Sequence, residues 1–227
     1  MSDFPRSVVL TFDDACRSHL YNAVPVLERY GFGATFFICH FVEEKYQKIR
    51  EYMLNGEEIR EIYDRGFEIG NHTWDHHSMR ILSDDERRWE IEEVEKFLSS
   101  CGIDKPVNFA YPGGPFAPEA VPVLKEKGFY GARTTEKRTW IYGVDDPMRI
   151  PAIPVQGDDE KLFFDALDFA VPEKNKAAVL VFHGVPDLAH PHCSLRPELF
   201  EKYMNYLYEH DYRVLSMRDF MYQAKMI

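Results

Sequence analysis

Short apolar runs alternate with longer amphipathic segments along the whole chain. Three of the runs are continuous stretches rich in β-branched and aromatic residues, as is typical of strands buried on both faces: residues 7–12, 34–39 and 178–182. Three of the intervening segments have a helical pattern that stops at a glycine: residues 23–30, 57–65 and 119–127. This alternation predicts an α/β fold with mostly parallel strands.

Weaker signals complete the pattern. Ser83 and Glu86 form a capping box that opens a helix through about Ser99, and Ser216 is suited to cap a helix at the C-terminal end. Further strands are predicted at residues 67–70, 107–111 and 213–215, and a further helix at 197–209. A doubly wound sheet and a barrel both fit this order. Residues 134–154 lack strong periodicity, so a regular eightfold barrel is not expected.

Composition narrows the class of protein. The chain has 227 residues, 45% of them hydrophobic, which predicts a single globular domain spanning 1–227. A formal net charge of -11 disfavours nucleic acid and anionic membrane surfaces as partners. The four cysteines are isolated, and we find neither a signal peptide nor the roughly 20 apolar residues needed to span a bilayer. These features predict a cytoplasmic protein; the oligomeric state is left open.

Candidate chemistry is concentrated directly after three predicted strands. Asp13 and Asp14 follow the first strand, His72 and His76 follow the strand at 67–70, and His183 follows the strand at 178–182. Because the carboxyl ends of parallel strands meet at one edge of a sheet or barrel, we expect these side chains to share one site.

The spacing of His72 and His76 suits two ligands of one metal, since residues four apart on a helical turn point the same way. Such a pair is weak alone, and an aspartate after a strand commonly caps a helix. Two adjacent aspartates are costly, however, unless a cation neutralises one. We therefore predict a metal bound by Asp14, His72 and His76, with Asp13 as the general base. A lone histidine at a strand end is commonly a core residue, but as the third strand-end contribution to this edge His183 is predicted to be the general acid, because an amine leaves poorly unless it is protonated.

Several motifs resemble those of the polysaccharide deacetylase family, the NodB-homology carbohydrate esterases. The resemblance runs along nearly the whole chain, through residues 11–14, 30–37, 66–76, 109–114 and 181–183. It implies a distorted (β/α) barrel in which a divalent metal, usually zinc and sometimes cobalt, nickel, iron or manganese, is held by Asp14, His72 and His76. It also implies that Asp13 is the base, that His183 protonates the leaving amine, and that an amide of the 111–114 turn binds the oxyanion.

Three positions depart from that family's pattern. The third motif has Ala110 where an arginine usually braces the base, and Ala15 follows the double aspartate where glycine is usual. No aspartate near Trp140 cleanly matches the residue that usually orients the catalytic histidine. We predict that Arg149, in an apolar segment limited by proline, replaces the missing arginine; the alternative is a surface ion pair with Asp145 or Asp146.

The sequence thus predicts a metal-dependent hydrolase that removes an acetyl group, with an N-acetyl group favoured, from a saccharide or similar small substrate. One alternative is a degenerate barrel that binds a sugar or a metal without turnover. Another is a metal-independent relative that hydrolyses a small non-peptide amide, for which a broken ligand set would be expected. The intact set Asp13, Asp14, His72, His76 and His183 favours the enzyme.

Overall fold

A computed structural model describes residues 6–40, 44–141, 143–168 and 176–223. The strands are β1 (Ser7–Phe12), β2 (Thr35–Ile38), β3 (Glu68–Asn71), β4 (Asn108–Ala110), β5 (Gly131–Arg133), β6 (Trp140–Ile141), β7 (Ile153–Pro154), β8 (Lys176–Phe182) and β9 (Arg213–Leu215). The α-helices are α1 (Val24–Tyr30), α2 (Gly56–Asp64), α3 (Asp84–Ser100), α4 (Val121–Glu126), α5 (Glu160–Asp168), α6 (Pro197–Glu209) and α7 (Met217–Gln223).

The strands form one curled sheet. Its main path runs β5-β4-β3-β2-β1-β8, with parallel pairing throughout. β9 lies parallel to the first half of β1, β7 lies parallel to β8, and β6 is antiparallel to the beginning of β8. The alternation of strands and helices therefore gave the correct fold class.

A short segment joins the two edges of this sheet. Ile150 makes a parallel bridge to Arg133 of β5, and three residues later β7 pairs with Leu180 and Val181 of β8. The sheet thus closes as a distorted barrel rather than remaining an open, doubly wound sheet. β6 and β7, the two strands within residues 134–154, have only two residues each, which explains why no periodicity marks this part of the sequence.

Both faces of β1 are buried, because the strand separates two apolar layers. Val8, Leu10 and Phe12 pack outward in the large cluster that includes the apolar sides of α1 and α6. Val9 packs inward in a smaller cluster with Phe37. Side chains alternate along a strand, so the residue after Phe12 continues the inward series toward the open end of the barrel.

The predicted helix signals have their expected roles. Ser83 and Glu86 form a reciprocal capping box at the start of α3, and Ser216 Oγ accepts from the backbone N–H of Asp219 in α7. The segment predicted as a helix at 119–127 is instead a 3-10 turn, Pro118–Ala120, followed by α4. In the described parts of the chain, no helix is both long and apolar enough to cross a membrane.

Candidate active site

The carboxyl ends of β1, β3 and β8 meet around one cavity of about 330 Å³. The cavity is lined by Asp13, Asp14, Tyr46, His72, His76, Gly113, Gly114, Thr135, Pro154, Gln156, His183, His190, His192 and Cys193. The structure therefore brings together five of the six residues that the sequence predicted for the site.

Asp14, His72 and His76 form a cluster that suits a metal ion. The Oδ1 atom of Asp14 lies 3.5 Å from Nε2 of His72 and 3.5 Å from Nε2 of His76. One potential ligand atom from each residue lies within 4.8 Å of the others. Nδ1 of His72 lies 2.8 Å from the carbonyl oxygen of Ala110; a proton on Nδ1 would leave Nε2 free as a ligand. An Asp-His-His set of this kind fits a catalytic metal with open coordination positions.

The two histidines do not lie on a helical turn, so that part of the sequence interpretation was wrong. The segment after β3 is a loop in which Thr73 and His76 have left-handed backbone conformations, with φ of 66° and 56°. Asn71 accepts a hydrogen bond from the backbone N–H of Thr73 within this loop. The imidazoles converge in a loop with two left-handed residues, not because of helical spacing.

Glu90 of α3 supports this loop from beneath. Its Oε2 atom accepts from the backbone N–H groups of Trp74 and Asp75, each at 2.8 Å, and its Oε1 atom lies 2.7 Å from Nδ1 of His77. Glu90 is only 1% exposed. Sequence analysis did not identify this residue, because a glutamate in an amphipathic helix is ordinarily solvated.

The base candidate, Asp13, is held by an arginine other than the one predicted. Nη2 of Arg133 lies 2.5 Å and 2.6 Å from the two carboxylate oxygens of Asp13. Arg133 is the last residue of β5, is fully buried, and lies with its guanidinium carbon 5.3 Å from the Phe37 ring centroid. The position left without an arginine at Ala110 is thus compensated from the neighbouring strand.

The prediction for Arg149 was therefore wrong. Its Nε atom donates to Glu136 at 2.6 Å, and its side chain is 51% exposed. Arg149 ends a 3-10 turn outside the barrel, where its guanidinium lies over Phe116. The sequence signal for Arg133 was weak, since β5 has only three residues and was not predicted as a strand.

The surroundings of Asp13 and His76 favour the protonation states that the chemistry needs from these two groups. Burial opposes ionisation of Asp13, but Arg133, and to a lesser extent His72 and His183, hold its pKa below the usual value. Burial lowers the pKa of His76 to about 4. Asp13 is thus held as a carboxylate, and His76 as a neutral imidazole with a lone pair to offer.

His183 reaches the same cavity but has little support. Its Nε2 atom lies 3.8 Å from Oδ2 of Asp14, and its backbone oxygen is 3.0 Å from Nε2 of His19. Nδ1 of His183 is buried and has no hydrogen-bond partner among the residues that the structure describes. Trp140 does not approach it as a motif residue, since its ring is fully buried in the core and packs against Phe220.

One backbone amide in the turn after β4 can face a substrate. The N–H of Tyr111 donates to the Arg133 carbonyl, and the N–H of Gly114 donates to the Tyr111 carbonyl. Pro112 has no N–H. Gly113, whose φ is 69°, is exposed on the cavity wall, so its amide is the donor in this turn that is left for a substrate oxygen.

Three comparisons relate the chain to known proteins. A sequence model described as polysaccharide deacetylase matches residues 2–132. A poly-beta-1,6-N-acetyl-D-glucosamine N-deacetylase of Staphylococcus aureus is 31% identical over 147 residues, which cover 59% of this chain and 50% of that protein. The chain spans about half the length of the curated relatives it matches.

Solved structures share the fold. A family 4 carbohydrate esterase from Bacillus anthracis matches with a TM-score of 0.63 and 20% identity, over 95% of this chain and 82% of that one. A pseudoenzyme of the same esterase family, also from Bacillus anthracis, matches with a TM-score of 0.62 and 22% identity, over 95% of this chain and 65% of that one. Enzymes and a pseudoenzyme thus share this barrel, and the fold alone does not decide between them.

Proposed function

Because the chain belongs to the polysaccharide deacetylase family, we propose that it hydrolyses an acetyl group, N-linked, from a saccharide substrate with the help of one divalent metal. The observation that carries this proposal is the pairing of two distinct carboxylates in one cavity. Asp14 faces two imidazoles, while Asp13 faces a buried guanidinium. A site built only for binding has no need of a second, separately oriented carboxylate.

The residues present fit a metal of the zinc type, with cobalt, nickel, iron and manganese as further candidates. Asp14, His72 and His76 would supply one oxygen and two nitrogen ligands, and His76 is held in the neutral form that a ligand requires. When bound, such an ion polarises the acetyl carbonyl and lowers the pKa of a water molecule.

The chain's own groups supply the remaining steps. Asp13, oriented by Arg133, accepts the proton of the attacking water. The N–H of Gly113 donates a hydrogen bond to the carbonyl oxygen as it gains negative charge. His183 donates a proton to the leaving amine, which would otherwise leave poorly.

The test is a screen for acetate release from N-acetylated and O-acetylated saccharides, with defined divalent metals added to metal-free protein. We expect one metal per chain, and we expect its binding to be lost in His72→Ala and His76→Ala. A metal that stays bound when both histidines are replaced would contradict the ligand assignment.

Asp13→Asn provides the sharpest single variant. Asparagine is nearly isosteric but cannot accept a proton, so we expect the metal to stay bound while turnover falls by about 10²–10⁴. Elemental analysis and acetate release measure the two quantities separately. If the variant keeps near wild-type turnover, the base lies elsewhere.

A second candidate function is a barrel that binds an acetylated sugar without turnover. The unpartnered Nδ1 of His183 favours it, because an acid that nothing orients is a poor catalyst. Saturable sugar binding by metal-loaded protein, with no acetate release from any substrate of the screen, would establish this candidate. The assembled metal cluster counts against a metal-independent amidohydrolase.

A further inference from the structure

The loop after β8 carries a second imidazole and carboxylate pair that the steps above do not use. Nδ1 of His190 lies 3.7 Å from Oδ2 of Asp187, an ion-pair distance. The backbone N–H of His190 donates to the other oxygen of Asp187 at 2.6 Å. The loop thus folds back so that His190 lies beside the carboxylate that anchors it.

Asp187 is a fixed support for this imidazole. It is 2% exposed, and its Oδ2 atom also accepts from the backbone N–H of Gly184 and from the thiol of Cys16. Its own backbone N–H donates to Oγ of Ser194 at 2.9 Å. These donors favour the ionised form of the Asp187 carboxylate and fix its position within the loop.

His190 belongs to the wall of the same cavity as Asp13 and the metal cluster. Its side chain is 26% exposed, so it is accessible to a substrate in the cavity. With Nδ1 on the side of Asp187, Nε2 is the nitrogen available to a substrate. A carboxylate at ion-pair distance from the far nitrogen of an imidazole favours the protonated ring, as a proton donor needs.

The comparison with His183 makes this arrangement informative. The carboxylate beside His183 is that of Asp14, 3.8 Å from its Nε2 atom, and Asp14 is a proposed metal ligand. The carboxylate beside His190 is that of Asp187, which is outside the metal cluster and lies on the side of Nδ1. A carboxylate that could support an acid without being shared with a metal is therefore present in this cavity, seven positions further along the chain.

We propose that His190, oriented by Asp187, is a second proton donor to the leaving nitrogen of the substrate. This proposal rests on the amide hydrolysis proposed above. As the C–N bond breaks, its electron pair passes to nitrogen, which takes the proton from Nε2 of His190. The imidazole is left neutral and regains a proton from solvent, so His183 and His190 act in parallel.

The charged and titratable groups around His190 are consistent with this role. Asp187 is the main cause of a raised pKa of His190, and burial opposes it less strongly, while Asp14 adds to the increase. Burial raises the pKa of the neighbouring Cys193 thiol to about 11, so that group remains neutral. His192 lines the same cavity, and its ring centroid lies 6.3 Å from that of His190.

The test compares an amide with an ester whose leaving group needs no proton. We would measure kcat/KM for an N-acetylated saccharide and for p-nitrophenyl acetate, using metal-loaded wild type, His190→Gln, His183→Gln and the double variant. We expect His190→Gln to slow the amide about tenfold or more and the ester by less than about twofold. The double variant should lose about 10²–10⁴ on the amide.

A second measurement does not depend on turnover. In an NMR titration of the imidazoles, the pKa of His190 should fall when Asp187 is replaced by asparagine. His210→Gln is the matched control, because it removes an imidazole at the C-terminal end of α6, where the ring contacts Tyr206.

Several results would overturn the proposal. These are equal losses on amide and ester in His190→Gln, an unchanged amide rate, or a His190 pKa that is insensitive to Asp187→Asn. A wild-type protein that releases acetate from no amide would remove the proposed function and this proposal together. Active wild type with an unaffected His190→Gln removes this proposal alone.

Discussion

At the scale of single residues, the site depends on how Asp13 is held. The carboxylate is buried, and burial alone would favour its neutral form, so a cation must keep it ionised. Arg133 supplies that cation from the end of β5, the strand next to β4, and contacts both oxygens of Asp13. The family's usual brace is thus moved to another position rather than lost.

Arg133→Lys tests this exchange of position. Lysine keeps the charge but cannot reproduce the guanidinium contact, so the pKa of Asp13 should rise toward its usual value. Asp13 must be ionised to accept a proton. As the pH falls, the variant should therefore lose activity at a higher pH than wild type does. The measurement is the pH profile of kcat/KM.

Arg149→Lys is the matched control, because that side chain lies at the surface beside Glu136. We expect it to leave the acidic limb of the pH profile in place. Identical profiles for the two variants would show that Arg133 does not set the ionisation of Asp13.

His183→Ala should slow amide hydrolysis more than ester hydrolysis. An alkoxide leaves more readily without protonation than an amine does, so an acid matters less to an ester. Rates on matched N-acetyl and O-acetyl saccharides measure the difference. Equal losses on the two substrates would count against a proton transfer from His183.

At the scale of secondary structure, the strands that the sequence made visible are those with long, two-sided apolar runs. β1 and β8 were predicted nearly to the residue because both of their faces are buried, and β9 and α6 were predicted with the bounds observed. The three-residue β5 and the two-residue β6 and β7 are too short to show a period. Missing β5 led directly to missing Arg133.

The loop that carries His76 was misread for a related reason. Its shape comes from left-handed residues and from a side chain 13 to 16 positions away in sequence, Glu90, neither of which a local spacing rule detects. The residues of the candidate metal cluster could be selected from the sequence, because they follow predicted strand ends. The residues that hold those ligands in place could not.

Glu90→Gln should weaken metal binding while leaving α3 folded. An amide oxygen can still accept from the loop backbone, but the negative charge beside His77 is lost and the loop is less firmly held. Outer supports of this kind typically contribute about 10–100-fold to metal affinity. Competition with a chelating dye measures the affinity, and circular dichroism monitors the helix.

Glu92→Gln offers a control on the same helix, since Glu92 points outward and pairs with Lys127. Equal metal affinities in the two variants would assign Glu90 a role in stability only.

At the scale of the whole molecule, the strands around the barrel pair to different extents, and the closure through residues 150–154 is thin. β1 and β8 pair over six residues, whereas β7 meets β8 over two and Ile150 meets β5 at a single bridge. Asp14 follows β1, which pairs with β8 over six residues, and His72 and His76 follow β3, which pairs with β2 over four. Two residues on the C-terminal side of the closure, Pro154 and Gln156, line the cavity. Arg133 is bridged to the closure at Ile150 and holds Asp13.

This thin closure is a weak point in the wall of the barrel. Backbone amides of residues 150 and 155 should exchange with deuterium faster than those of residues 8–12 and 178–182, because local opening there breaks few contacts. Mass spectrometry after brief exposure to heavy water would show it, and uniform protection around the barrel would refute it. A thin closure allows a few residues of one cavity wall to be inserted or exchanged while the candidate metal cluster stays intact. Variation in what the barrel accepts should therefore accumulate along residues 150–156.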